Sequence, residues 1–164
     1  MTLKIIPATP ADGAELTEVF FATFVGDFNR TMFPHTPDVA AWWEQSFHDS
    51  IKRSIAGETS EVFLKVVDSD LDAIVAFAKW KVPTSADRDR DEREESAVWA
   101  PSCDGELCDR FFSGMEKLHE KWMGNRPHYC MFPFAFLGSF VVLLFLDLLV
   151  AWIIGLLCFV LLCS

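Results

Sequence analysis

Past residue 129 the chain has no Lys, Arg, His, Glu, Asn or Gln, and the only charge there is Asp147. The first 129 residues hold all 14 cationic side chains and 23 of the 24 anionic ones, which leaves them at a net −9. So acidic a body lacks the clustered Lys and Arg that neutralise phosphate, and nucleic acid is excluded as a partner. It suits a water-soluble unit, or one that handles cationic partners such as amines. The amino terminus, Met1 to Pro7, has neither the long apolar run nor the small-residue cleavage site of a signal peptide. Five cysteines at irregular spacing do not make a disulfide framework, so a reducing compartment is expected for the first 129 residues. A length of 164 residues is enough for one domain and not for two.

What is present reads as α/β, with mixed α+β character. Leu3 to Ala8 is a short apolar run ending at proline, a first strand. Thr9, Pro10 and Asp12 supply a cap, a first-turn proline and an acid at the positive helix end. Leu16, Val19, Phe20 and Thr23 then share one helical face, and the helix is expected to fade near Gly26. Asp27 to Thr36 reads as an aromatic-rich loop. Thr36, Pro37 and Asp38 repeat the start signal, and Val39, Trp43, Phe47, Ile51 and Ile55 follow at intervals of four. Gly57 is placed to stop that helix in the left-handed conformation.

Glu61 to Val67 and Ile74 to Val82 are β-branched and apolar, and Asp68 to Asp70 between them is turn chemistry, so the two form an antiparallel hairpin. Thr84 to Ser96 is a charged run with no apolar residue larger than Ala86, a solvated loop or frayed helix. Glu106 to Met123 reads as a further helix with Leu107, Phe111, Met115, Leu118 and Trp122 on its inner face and Gly124 at its end. After the Asn125–Pro127 turn, His128 and Tyr129 begin an extended segment.

The order strand, helix, helix, strand, strand, helix resembles the first half of a GNAT-superfamily N-acetyltransferase, fungal type. Ile6 to Asp12 is similar to the opening strand and turn of that family, Ala76 to Trp80 to its central strand, and Arg126 to Tyr129 to the lead-in of its fourth strand. The resemblance covers about residues 3 to 129. It implies an acyl-CoA N-acyltransferase fold and acetyl transfer from acetyl-CoA to an amine acceptor. In the family a loop of the form Q/R-x-x-G-x-G/A after the fourth strand lets backbone N–H groups reach the cofactor pyrophosphate at a helix N-terminus. A strand N–H polarises the thioester carbonyl, and a base takes the amine proton. That loop is missing: the residues from Cys130 read CMFPFAFLGSF, and Gly138 and Gly155 are far apart with no Arg or Gln before them. No cofactor-binding residue, catalytic residue or metal ligand is therefore carried over, and this form is expected to be weakly active or inactive.

The residues from 130 to 164 read as a separate apolar tail. Of the 21 residues from Phe140 to Val160, 16 are Leu, Ile, Phe or Val. They contribute about −5 to −10 kcal/mol to insertion against roughly +3 for Asp147. A transmembrane helix over about 136–160 is expected, tail-anchored, with Lys117, Lys121 and Arg126 holding the first 129 residues in the cytosol. A buried core helix is the alternative. The abrupt switch of text near residue 129 also fits a retained intron or alternative exon, that is, a truncated splice product. A membrane-anchored binding or decoy module without catalysis is the competing function.

Other candidates weigh less. His35, His48, His119 and His128 show no metal spacing and read as ordinary surface or core histidines. Cys103, Cys108 and His119 fit no common zinc pattern. Asp147 reads as a polar residue tolerated in an apolar span rather than a relay group. By the same resemblance Phe20, Phe21, Phe24, Phe28 and Phe33 would line the acceptor pocket; core packing accounts for them equally well.

Overall fold

The computed structural model describes residues 2–83, 98–124, 126 and 128–136. Strands β1 (Leu3–Pro7), β2 (Glu61–Asp68), β3 (Ala73–Lys81) and β4 (Cys130–Phe136) form one sheet in the order β1-β2-β3-β4, every neighbouring pair antiparallel. Helices α1 (Gly13–Thr23), α2 (Asp27–Met32) and α3 (Pro37–Ile55) come between β1 and β2, and α4 (Gly105–Met123) between β3 and β4. The mixed α/β class and the hairpin expected from the sequence are present.

The first turn shows why the chain enters α1 as it does. Pro10–Asp12 is a single 3-10 turn, and the Asp12 carboxylate accepts from both the N–H and the hydroxyl of Thr9 at 2.6 and 2.9 Å. The same carboxylate takes the Lys65 ammonium of β2 at 2.6 Å, so one acid ties the turn to the sheet. Both side chains are largely buried, where a paired charge is tolerated and an unpaired one is not. Gly13 then opens α1 against α3. A Cβ there would stand 2.8 Å from the Glu44 carbonyl oxygen, and only glycine allows that approach.

α1 packs on α3, on β3 and on β4, and α3 on β2. Among the described residues Phe77, Leu16, Ile51, Val19, Val39 and Cys108 are the largest fully buried side chains. Proline at the first position of α3 and Gly57 at φ +71° bear out the expected start and stop of that helix.

Three expectations change. Asp27 to Thr36 is not simply a loop: Asp27–Met32 is a short helix, with Asp27 in its first turn and Arg30 in its last. Charges placed that way complement the helix dipole, and burial of Met32 and Phe33 holds the segment down. The expected inner face of α4 is apolar throughout but packed only at its start. Leu107 and Phe111 meet the core, whereas Met115, Leu118 and Trp122 are exposed. The third change concerns the apolar tail, whose first seven residues, Cys130–Phe136, are β4 itself. Phe136, where the expected membrane span begins, pairs with Ala76. The rest of that span, 137–160, lies outside the described residues, as do Asp147, Gly138, Gly155 and the charged run. Among the described residues no helix is long and apolar enough to cross a membrane.

Candidate functional site

In the resembling family the chemistry gathers at the fourth strand, and β4 has a feature of its own there. Its register with β3 slips between Ala78 and Lys79: Ala78 faces Phe134 and Lys79 faces Phe132, so Pro133 is left without a partner. A proline lacks the N–H that a ladder position needs, and a bulge is where a strand accommodates it. Position 133 therefore cannot donate to any carbonyl. Residues 137 onward, where a Q/R-x-x-G-x-G/A loop would follow, are outside the described residues, and their sequence carries no such pattern.

The expected acceptor-pocket aromatics are largely spent on packing. Phe20 and Phe33 are buried in the core. Phe20 lies 4.3 Å from Trp43 and 4.7 Å from Phe24 between ring centroids, and Phe33 meets Trp42, Trp43 and Trp99. Phe28 leans edge-on against Phe111 of α4, and Phe21 lies 4.3 Å from the His35 ring. Aromatic pairs in these offset and edge geometries contribute roughly 0.5–1.5 kcal/mol each beyond burial. The indole N–H of Trp43 is buried with no partner among the described residues.

The segment entering α4 is pinned to this cluster by polar contacts. Trp42 donates to the Val98 carbonyl at 2.7 Å, and Trp99 donates to Asp109 at 2.7 Å. Asp104 caps α4 by accepting from the Leu107 N–H. Asp38, in the first turn of α3, accepts from the N–H and hydroxyl of Ser102. The Thr36 hydroxyl beside it and then those Ser102 donors bring the Asp38 carboxyl down to about 2. It is an anion at any physiological pH, held for structure.

Two shallow concavities open on α3. One, of about 370 Å³, is lined by Pro10, Gly13, Glu44, Gln45 and His48 among others, and the other, of about 340 Å³, by Trp42, Asp49, Arg53 and Val98 among others. Neither is lined by a residue of β4. His48 sits 3.1 Å from the Pro10 carbonyl, a contact that fastens α3 to the first turn.

The structure does not bring Cys103, Cys108 and His119 together: no group of three or more His, Cys, Asp or Glu suited to a metal occurs among the described residues. Cys108 is fully buried with its Sγ 3.7 Å from the Met32 carbonyl. Burial, with Cys103 and Asp104 nearby, pushes its thiol up to about 11, so it remains a thiol and acts as a core residue. One pair does meet that spacing did not suggest. His119 near the end of α4 and His128 before β4 face each other with their Nε2 atoms 2.6 Å apart. The turn at Gly124 folds the chain back between them, its φ of +52° being one that glycine adopts readily.

No family model and no curated protein matches the chain. Among solved structures it is similar to an acetyltransferase from Corynebacterium glutamicum described as histone acetyltransferase HPA2 and related acetyltransferase. The identity is 18% with a TM-score of 0.45, over 85% of this chain and 62% of that one. It is similar also to the ribosomal-protein-S5-alanine acetyltransferase of Vibrio fischeri, at 8% identity and a TM-score of 0.38, over 74% of this chain and 65% of that one. A third is the PaiA N-acetyltransferase of Thermoplasma acidophilum in complex with coenzyme A, at 14% identity and a TM-score of 0.34, over 72% and 74% of the two chains. The chain thus spans less than two thirds of the length of the first two.

Proposed function

We propose that this chain is a GNAT-like relative built for acetyl transfer from acetyl-CoA to an amine, and that in this form it has little or no activity. The observation that carries the first half is the order of its elements: β1, helices, β2, β3, α4 and β4 in one antiparallel sheet, as the resemblance implies. The observation that carries the second is the text after β4. Backbone N–H groups at a glycine-rich helix start are what neutralise a pyrophosphate, and residues 137–164 offer no Arg, Lys or Gln and only two widely separated glycines. The apolar run from 137 is what supports a membrane anchor, with the acidic body on the cytosolic side. Isothermal calorimetry of the full chain in detergent with coenzyme A is the test. No saturable heat is expected, and tight binding would overturn the claim of a missing cofactor site. If alkaline carbonate releases the full chain into the supernatant, the anchor is wrong.

A second reading, an anchored binding module without catalysis, is favoured by one observation. The exposed side of α4 presents Met115, Leu118 and Trp122, an apolar stripe of the kind that partner proteins cover. A splice donor at codon 129, with a Q/R-x-x-G-x-G/A motif in a downstream exon, would instead make this a shortened form of a catalytic protein.

A further inference from the structure

The turn between α4 and β4 sets two imidazoles face to face. His119 Nε2 and His128 Nε2 are 2.6 Å apart, with ring centroids 4.7 Å apart and planes inclined by 50°. Across so short a gap one nitrogen carries the proton and the other a lone pair. His128 Nδ1 lies 2.6 Å from the Arg126 carbonyl oxygen, which can only accept, so Nδ1 bears the hydrogen and Nε2 the lone pair. His119 Nε2 is then the donor. Arg126 is itself tied back to α4, its guanidinium donating to the Trp122 and Met123 carbonyls. One ring nitrogen fastened to a carbonyl and the other presented outward is how proteins orient a metal-binding histidine.

The surroundings leave the pair reachable. Burial first, then His128 and Lys81 of β3, hold His119 below the usual imidazole range, and Glu116 one turn earlier on α4 acts in the opposite sense. His119 is exposed and His128 half-buried. Cys130, two residues on, is kept a thiol by burial although Lys81 pulls the other way, and it is no ligand in this arrangement.

We propose that His119 and His128 form a bidentate site for a divalent cation of the zinc, nickel or copper class, with water completing the coordination. Paired neutral imidazoles select these borderline metals over magnesium or calcium, which take oxygen ligands. Zinc–nitrogen bonds of about 2.0–2.1 Å in a tetrahedron put two nitrogens roughly 3.4 Å apart, so the rings open by about 0.8 Å from their present contact. From the tautomers above, the His119 proton moves from Nε2 to Nδ1 through solvent and both Nε2 lone pairs go to the metal. A bound metal clamps the end of α4 to the start of β4.

The test is calorimetric titration of the full chain in detergent, purified without a polyhistidine tag, with nickel chloride and zinc chloride. One ion per chain is expected. His119→Gln and His128→Gln each weaken binding by about tenfold or more, whereas His48→Gln leaves it unchanged. Lys81→Gln removes a repelling charge and tightens binding, an effect that loss of fold cannot imitate. Absence of saturable binding overturns the proposal. So does binding that both histidine variants leave intact, or that Lys81→Gln weakens.

Discussion

Helices α3 and α4 are each 19 residues long and each carries an apolar side chain every three or four positions, yet they end up in different surroundings. Along α3, Val39, Phe47 and Ile51 are buried and Trp43 packs against them; in this stripe exposure begins only at Ile55. Along α4 the stripe leaves the core after two turns, and Met115, Leu118 and Trp122 are 52%, 55% and 67% exposed. The periodic pattern makes both segments helices in the same way. What buries a stripe is the element opposite it: α3 has β2 and α1, while the described neighbour of α4 is α2, only six residues long. The contacts of α4 with α2 are made by Cys108 and Phe111, in its first two turns.

The largest test of this contrast is a pair of truncations. Phe77, 2% exposed and edge-on to Phe47, is at the centre of the α3 side. Phe77→Ala is expected to cost about 3–5 kcal/mol in urea unfolding, and Trp122→Ser on α4 no more than about 0.5 kcal/mol. Comparable losses at the two sites would mean that something covers α4 in solution. Glycines give a smaller comparison of opposite signs. Gly13→Ala drives a methyl against the Glu44 carbonyl and is expected to destabilise by about 1–3 kcal/mol. Gly114→Ala on α4 meets nothing within 4 Å and should stabilise by up to about 1 kcal/mol through helix propensity. Thermal melts of the two variants decide this, and a loss at Gly114 would show a neighbour there.

Acid should separate the regions by the smallest effects. Burial works to raise the Asp12 carboxyl, but hydrogen bonds from Lys65 and Thr9 outweigh it and hold the group below its usual range. Its contribution is complete above the ordinary aspartate value of about 4 and is lost as pH falls below it. His119 is a base held below its usual range, so the unfolded chain takes up its proton first. That contribution is complete above about 6.5 and is lost as pH falls towards the folded value. Melting temperature against pH should therefore show a minor step below 6.5 that His119→Gln removes, and a second below 4 that Asp12→Asn removes. A single step common to both variants would sink the assignment.

Much of the fold was legible because its signals are local. Thr36, Pro37 and Gly57 mark the ends of α3 by backbone chemistry that needs no partner, and Asp68, whose carboxylate accepts from the Asp70 N–H, marks the hairpin turn in the same way. α2 was not legible because its six residues carry no repeat of their own; its end is held by burial of Met32 and by ring contacts of Phe33, just past it, with Phe20 and Trp43. An apolar run looks the same in a strand and in a membrane span, and pairing with β3 is what makes Cys130–Phe136 a strand.

The candidate sites divide the same way. Sequence alone determined that residues 137–164 carry no Q/R-x-x-G-x-G/A pattern, since that depends only on which residues occupy those positions. It also determined the acidic body and the helix starts, which follow from charge and from dihedral preference. Tertiary structure alone decided that Asp12 pairs with Lys65 across 53 positions, that Phe20 and Phe33 pack into the core, and that His119 meets His128. Those outcomes depend on distances between segments, and the packing of the sheet and the turn at Gly124 set such distances.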